Sequence, residues 1–194
     1  MVHVVGPRGP LTGRTRHGLL TVSATTGPDG VPRVDGHRWD SDEAGRIIAA
    51  HAGVGARLVA DTSPARFDVL NLLVATDGAV ARLGHDVRRL RRNIVLSGVP
   101  ADLEPRLPGR ALRVGDALIG VYSLRQRCIV TTIDPDTGAQ DLDVLRRIHQ
   151  EFDGEIALNC WVIQPGRIAI GDEVEVVATA EDPSRVGRWI VGAP

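Results

Sequence analysis

The sequence predicts a mainly β protein, a closed β-barrel with a few short α-helices at its periphery. Short runs rich in β-branched residues recur along the 194 residues, and Gly and Pro separate these runs. Turn signals such as Pro28-Asp29-Gly30 and Pro165-Gly166 mark several of the connections. Apolar residues make up 43% of the chain and charged residues 24%, which are ordinary values for a globular protein of this length.

Seven segments have the composition of β-strands. We expect strands at residues 19–25, 69–75, 93–96, 117–122, 129–132, 156–163 and 174–178. A repeated pattern, PGRALRVGDALIGV from Pro108 and PGRIAIGDEVEVV from Pro165, places Gly-Asp between two apolar segments. Gly-Asp tolerates the positive φ of a tight turn, so the repeat predicts two similar hairpins that close one barrel.

Three segments have helical features instead. We expect one helix from an Asp40 cap to Gly53, one from Asp77 to Gly84, and one from about Asp141 to Gly154. Glu43 would complete a capping box with the Asp40 cap of the first helix. Val144, Leu145, Ile148 and Phe152 form an apolar stripe on the third.

The composition also excludes several classes of function. A net charge of -1 and an aromatic fraction of 3% give no attraction for nucleic acid or a membrane surface, so we expect neither as a partner. All 23 basic residues are Arg, and without a Lys amine the chain cannot form the Schiff base of a pyridoxal-phosphate enzyme. No apolar run at the N-terminus resembles a signal peptide, and none is long enough to span a membrane, so we expect a cytoplasmic protein.

The segment RCIVTTIDPDTG, which begins at Arg127, is the densest in chemistry. Arg127 precedes Cys128, and a neighbouring cation favours the thiolate, the form that acts as a nucleophile or binds a metal. A buried structural thiol is the more common alternative. Thr131, Thr132 and Asp134 supply oxygens that can either contact a ligand or hydrogen-bond the backbone of the turn.

A basic run, RRLRRN, ends at Asn93 and leads directly into a predicted strand. Guanidinium groups remain charged and grip phosphate oxygens through two parallel hydrogen bonds. Arg91 and Asn93 at the entrance of a strand can project into the mouth of a barrel, where ligands commonly bind. The alternative is a solvated charged face, which we consider equally compatible with the sequence.

Cys160 lies in the segment EIALNCWVIQ, and strand alternation places it on one face with Ile156, Leu158 and Val162. That face is apolar and is most simply the inside of the barrel. An inert core thiol is therefore the alternative to a functional cysteine at this position.

These motifs resemble, in their order along the chain, the MOSC domain family. The residues that carry the resemblance are Arg91 and Asn93, Glu104, Gly115-Asp116, RCIVTTIDPDTG and PGRIAIGDEV, and the similarity spans about residues 69–177. The family includes the C-terminal part of molybdenum cofactor sulfurases and the amidoxime-reducing components. The resemblance implies a β-barrel that binds the molybdenum cofactor, molybdopterin. The implied cofactor-binding residues are Arg91, Asn93, Arg127, Thr131, Thr132 and Asp134.

The resemblance also implies a chemistry. Enzymes of the family reduce N-hydroxylated small molecules with electrons from a separate redox protein, and relatives transfer sulfur. In this interpretation Cys160, or less favourably Cys128, is the catalytic residue, and Cys160 is the molybdenum ligand.

Two departures from the family keep an alternative open. In the amidoxime-reducing branch the molybdenum-ligating Cys lies shortly after the helix that follows Asp-Pro-Asp-Thr-Gly, whereas here that region reads HQEFDGEI, with Glu151 near the expected place. A non-catalytic barrel that binds an anion or a pterin without the metal-ligating Cys is therefore the second hypothesis. The N-terminal Pro-x-Lys-Ser signature is also absent. We interpret residues 1–65 as a reduced N-terminal β segment with one helix and 66–194 as the MOSC barrel domain.

Overall fold

The structure is a computed structural model that describes residues 2–60 and 69–178. The chain divides into two compact units, Met1–Arg66 with Thr132–Leu142 and Phe67–Thr131 with Asp143–Pro194. The domain boundary that the sequence predicts between residues 65 and 66 lies outside the described residues and stays a prediction.

Among its described residues, the first unit contains two small antiparallel sheets and one α-helix. Its elements are β1 (Val2–Gly6), β2 (Gly9–Pro10), β3 (Ala24–Thr26), β4 (Pro32–Val34), β5 (His37–Arg38), α1 (Asp42–Ala52) and β6 (Arg57–Ala60). The strand orders are β2-β1-β6 and β3-β4-β5. The strand predicted at 19–25 is mostly wrong, because His17–Leu20 form a 3-10 helix and extended backbone begins only at Ala24.

Helix α1 begins one residue later than the sequence suggested. Ser41, not Asp40, is the cap, since its hydroxyl oxygen accepts a hydrogen bond from the Ala44 N–H at 3.2 Å. Asp40 instead accepts hydrogen bonds from the Arg38 guanidinium. Gly53 ends the helix as predicted, with φ at 99°.

The second unit is built on one larger sheet. Its elements are β7 (Leu72–Thr76), α2 (Asp77–Leu83), β8 (Ile94–Leu96), β9 (Ala111–Val114), β10 (Ala117–Gln126), α3 (Leu142–Phe152), β11 (Glu155–Gln164) and β12 (Val174–Val177). The strand order is β12-β9-β10-β11-β7-β8. All pairs are antiparallel except β7 with β8.

The prediction of a mainly β protein with a few short helices is confirmed, but the closed barrel is wrong. The sheet curls as a half-barrel, and within residues 69–178 no hydrogen-bonded ladder joins its edge strands β8 and β12. One cause is the second Gly-Asp repeat. The first repeat forms the β9–β10 hairpin, whereas residues 165–173 contain no strand, and β12 is the one strand that follows them within the part of the chain that the structure describes.

Helices α2 and α3 pack against one face of this sheet. Their buried residues join Ala75 and Ile156 in one apolar cluster, which is separate from the cluster on the other face of the sheet. Gly84 and Gly154 follow the two helices with φ of 69° and 86°, as predicted from their positions in the sequence. Among the described residues, no helix combines the length and the apolar character needed to cross a membrane.

Candidate functional site

Strand β11 presents different chemistry on its two faces. Asn159 is 6% exposed, and its side-chain NH2 donates to the Ser123 hydroxyl at 3.0 Å and to the Leu124 carbonyl at 3.1 Å. Its amide oxygen accepts from an Arg125 guanidinium nitrogen at 3.4 Å. Cys160, the next residue, points to the opposite face because side chains alternate along a strand. Asn159 therefore faces a polar group that includes Arg125, whereas Cys160 faces an apolar cluster.

Cys160 belongs to the apolar region. It is 0% exposed, pairs with Val121 across the strands, and packs in a cluster with Val74 and Leu158. Its thiol donates to the Leu158 carbonyl at 3.5 Å. Burial, and secondarily the nearby Glu104 carboxylate, raise the pKa of Cys160 to about 12. The thiol is therefore protonated at neutral pH, whereas metal ligation requires the thiolate.

Arg127 is anchored at the polar end of the β10–β11 pair. Its backbone N–H donates to the Gly154 carbonyl at 2.9 Å, and its Nη2 donates to the Leu90 carbonyl at 2.6 Å. Its Nε is buried and, among the described residues, lacks a hydrogen-bond acceptor. A buried donor without an acceptor is costly, so this nitrogen is suited to an acceptor supplied by a ligand.

The charge of Arg127 survives its burial. Burial lowers the pKa of Arg127 to about 10, and Arg125 acts in the same direction, while Cys128 and Glu104 oppose them. A pKa of about 10 still leaves the guanidinium protonated at neutral pH. Arg127 can therefore neutralise an anion in a site of low polarity.

The basic run lies beside this guanidinium. Leu90, whose carbonyl Arg127 contacts, ends a 3-10 helix, and Arg91 follows it in a left-handed conformation with φ at 55°. Burial, followed by the neighbouring Arg88 and Arg89, lowers the pKa of Arg91. The structure thus brings the predicted binding residues Arg91 and Arg127 to one part of the second unit.

Asn93 occupies the entrance of β8, as the sequence suggested, but its side chain has a structural contact. The amide oxygen accepts from the Leu73 N–H at 2.8 Å, and the Asn93 N–H donates to the Leu73 carbonyl at 2.8 Å. These two bonds continue the parallel pairing of β7 and β8 beyond the strand. The Asn93 NH2 group is the part of the side chain left to serve a ligand.

Cys128 and Thr131 lie in a helical turn rather than a strand. Ile129–Thr132 form a 3-10 helix, so the strand predicted at 129–132 is wrong. The Cys128 carbonyl accepts from the Thr131 N–H at 3.1 Å and from its hydroxyl at 2.9 Å. Cys128 is half-buried, whereas Thr131 is buried with its hydroxyl committed to this turn.

Thr132 and Asp134 belong to the first unit. The Thr132 hydroxyl accepts from the Gln140 amide at 3.2 Å. The Asp134 carboxylate accepts from the Thr137 N–H at 2.9 Å and its hydroxyl at 3.0 Å, and from the Asp136 N–H at 3.0 Å. The oxygens of the Asp-Pro-Asp-Thr-Gly segment therefore order their own turn.

Glu104 is a functional candidate that residue chemistry alone did not single out. It is 2% exposed, and its carboxylate accepts from Ala157 N–H at 2.6 Å and from the Thr76 N–H and hydroxyl at 3.0 and 2.9 Å. Burial raises the pKa of Glu104, and these hydrogen bonds and Arg127 oppose the rise. Its place between Leu103 and Pro105 follows no apolar period, so the ordered motifs were the only signal for it.

A cleft lies between β8 and the segment before β12. Its volume is about 1090 Å³, and Leu96, Leu112 and Val114 are among its lining residues. Val95, Ile168 and Ile170 also line it and are exposed. A largely apolar cleft of this size is typical of small-molecule sites. That the protein acts on a small-molecule substrate stays a prediction.

No cluster of three or more His, Cys, Asp or Glu side chains capable of holding a metal ion occurs within residues 2–60 and 69–178. Cys128 and Cys160 are both free thiols. The predicted assignment of Cys160 as a molybdenum ligand stays a prediction. As placed, its thiol is buried among apolar side chains on the other face of β11 from Asn159.

Comparison with known proteins identifies a family. The family model of the MOSC domain matches residues 71–175, which is more than half of the chain. Among solved structures, YiiM from Escherichia coli is similar at 18% identity with a TM-score of 0.41, covering 57% of this chain and 56% of that one. A crystal structure of a hypothetical protein is similar at 15% identity and a TM-score of 0.43, covering 93% of this chain and 69% of that one. The chain thus spans just over half of the length of YiiM. No curated protein matches the sequence.

Proposed function

Because the chain belongs to the MOSC domain family, which is associated with the molybdenum cofactor, we propose that it binds this cofactor through the cofactor's anionic and pterin groups. The observation that carries the proposal is the Arg127 guanidinium, which is charged and retains a buried Nε without an acceptor among the described residues. The phosphate and pterin oxygens of the cofactor are acceptors of the kind this nitrogen requires.

The residues fit the organic part of the cofactor better than the metal. Arg91 and Arg127 would neutralise the phosphate, and the Asn93 NH2 would supply a directional hydrogen bond. A bound molybdenum centre would supply two-electron redox or sulfur-transfer chemistry. The thiol of Cys160, held protonated in an apolar cluster, does not offer a ligand in this arrangement. We therefore favour a cofactor-binding domain whose protein chain contributes no cysteine to the metal.

A second candidate is catalysis, either reduction of an N-hydroxylated substrate with an external redox protein or sulfur transfer. One observation favours it: Cys128 is only half-buried and directly follows Arg127 in the chain. Under this candidate a cysteine holds the metal or carries the sulfur, so replacement of that cysteine removes the activity.

The cofactor content of purified protein tests the first candidate. After expression in a host that makes the cofactor, we expect wild-type protein to retain molybdenum and pterin, and Arg127→Ala to lose at least about 90% of both. Arg113→Ala is the matched control, because Arg113 is an exposed Arg of the same unit whose partner is Glu175. Well-folded wild-type protein without pterin would contradict the proposal.

The two cysteines separate the candidates. If the protein contributes no cysteine to the metal, Cys128→Ser and Cys160→Ala retain molybdenum as wild type does. If Cys160 is a ligand, Cys160→Ala keeps its fold and its pterin but loses metal, and the catalytic candidate replaces the one we favour. Near-ultraviolet circular dichroism of each variant establishes that the fold is retained.

A further inference from the structure

The cleft beside β8 lies at the seam that the sheet of the second unit leaves open. Residues of both edge strands line it, among them Ile94 of β8 and Val174 of β12, and within residues 69–178 no ladder joins these strands. Leu96, Leu112 and Val114 also line it and belong to the apolar core cluster of this unit. An apolar ligand in the cleft would therefore extend the core.

Exposed apolar side chains continue this lining to the surface. Val95 is 38% exposed, Ile168 is 42% exposed and Val176 is 54% exposed, and all three line the cleft. Exposed apolar side chains that are gathered in one concave region mark binding sites, whereas scattered ones are ordinary. The cleft thus offers an apolar ligand contacts both at its floor and at its rim.

Arg92 gives this apolar cleft a charged end. It lies two positions before β8, is half-buried, and its Nε is buried without a hydrogen-bond acceptor among the described residues. A buried donor that lacks an acceptor is costly. The Nε and Nη nitrogens of a guanidinium form a fork that grips a carboxylate through two parallel hydrogen bonds. Arg106 also lines the cleft and adds a second positive charge.

The acidic side chains of the cleft come from the segment before β12. The Asp172 carboxylate accepts a hydrogen bond from the Ala169 N–H at 2.7 Å, so its own segment holds it. Glu173 is exposed, so water solvates its carboxylate. Neither requires a ligand cation, whereas the buried Nε of Arg92 requires an acceptor. Because like charges repel, these carboxylates direct a bound anion towards Arg92 and β8.

We propose that the cleft binds an amphipathic anion, a small molecule with an apolar body and one carboxylate. The apolar body lies against Leu112 and Val114, and the carboxylate accepts hydrogen bonds from Arg92. Of the residues that we assign to the cofactor, Asn93 lines the cleft, whereas Arg91 and Arg127 do not. The anion is held by a different guanidinium from those of the cofactor site, so the inference goes beyond the proposed function.

A series of alkyl probes tests the proposal on the unaltered full-length chain. By calorimetry we expect decanoate to bind at least about tenfold more tightly than decyltrimethylammonium, which has the same alkyl chain and the opposite charge. Octanoate and hexanoate should bind more weakly, by about three- to fourfold for each methylene removed. Equal affinities for the anion and the cation, an affinity independent of chain length, or no saturable binding of decanoate would each overturn the proposal.

Arg92→Gln tests the residue that holds the carboxylate. We expect this variant to bind decanoate at least about tenfold more weakly than wild type, while its affinity for decyltrimethylammonium does not fall. Arg113→Gln is the matched control, because Arg113 is an exposed Arg of the same unit, pairs with Glu175 and does not line the cleft. Equal losses of decanoate affinity in the two variants would contradict the role of Arg92.

Isoleucine methyl resonances locate the bound probe. On saturation with decanoate we expect the Cδ methyl groups of Ile168 and Ile170 to shift, because both residues line the cleft. The methyl group of Ile47, which lies on α1 in the first unit, should not shift. Replacement of each isoleucine by valine assigns its resonance. Shifts at Ile47 without shifts at Ile168 and Ile170 would show that decanoate binds elsewhere and would refute the site.

Sedimentation velocity tests for a different occupant of the cleft. We expect the oligomeric state to be the same with and without decanoate. A dimer that dissociates as decanoate binds would assign the cleft to a second copy of the chain and would refute the small-molecule site.

The pterin content of each preparation separates this proposal from the proposed function. Decanoate binding by pterin-free protein supports the amphipathic-anion site even where the cofactor proposal fails. A protein that holds pterin but binds no decanoate overturns the amphipathic-anion site alone.

Discussion

The two faces of β11 differ in what each contributes to the protein. The face with Leu158 and Cys160 packs into an apolar cluster with Val74 and Val121, and apolar burial is the main source of folding free energy. The face with Asn159 is hydrogen-bonded to neighbours that include Arg125. Neighbouring positions of one strand are therefore held in different ways, Asn159 by hydrogen bonds and Cys160 by apolar packing. A thiol in the apolar cluster is shielded from solvent and is not prepared to react or to bind a metal.

Leu158→Ala should show the largest effect on the apolar face. Leu158 is 0% exposed, so its truncation leaves a cavity and should lower the free energy of unfolding by about 2–5 kcal/mol. Denaturant titration measures the loss, and Leu142→Ala, at an exposed leucine of α3, should change stability by less than about 0.5 kcal/mol. If the apolar packing and the cofactor site are independent, folded Leu158→Ala protein keeps its molybdenum and pterin content. A parallel loss of this content would show that the apolar packing shapes the cofactor site.

The second-largest expected effect is a difference in the alkylation rates of the two thiols. In native protein we expect iodoacetamide to modify half-buried Cys128 at least about a hundredfold faster than Cys160, whose alkylation requires the core to open. Peptide mapping by mass spectrometry gives the two rates, and denatured protein is the control in which they become comparable. Similar rates in native protein would place Cys160 within reach of solvent and restore it as a metal ligand.

The fold was predictable where a local pattern decides it. Gly84 and Gly154 mark helix ends because each takes a positive φ, and the apolar stripe of α3 includes Val144 and Ile148, both buried in the structure. Local composition misled at residues 129–132. Ile, Val and Thr favour a strand, but the Cys128 carbonyl captures both the N–H and the hydroxyl of Thr131 and turns the chain.

The remaining features depend on partners distant in sequence. Glu104 meets Ala157 across 53 positions, and a single Glu in a loop carries no periodic signal that predicts its burial. The prediction of a closed barrel was wrong for a similar reason. The second Gly-Asp repeat resembles the first in sequence but does not form a hairpin of two strands. The basic run was predictable as a group, and Arg127 was recognised, but the contact of Arg127 with the Leu90 carbonyl was not.

The smallest expected effect is the loss of stability at alkaline pH that depends on the Cys160 thiol of the apolar face. Burial raises the pKa of Cys160 from 9.0 to about 12, so the folded protein holds a proton that the unfolded chain releases as the pH rises above 9.0. The folded protein therefore binds more protons than the unfolded chain in this window. The contribution of the Cys160 thiol to the free energy of unfolding is fully present below pH 9.0 and is lost as the pH rises towards 12. We expect wild type to lose about 1 kcal/mol relative to Cys160→Ala between about pH 8 and about pH 10. Equilibrium denaturation of both proteins across this range measures the difference. Equal slopes for the two proteins would mean that Cys160 ionises as readily when folded as when unfolded, and the apolar face would then be open to thiolate chemistry after all.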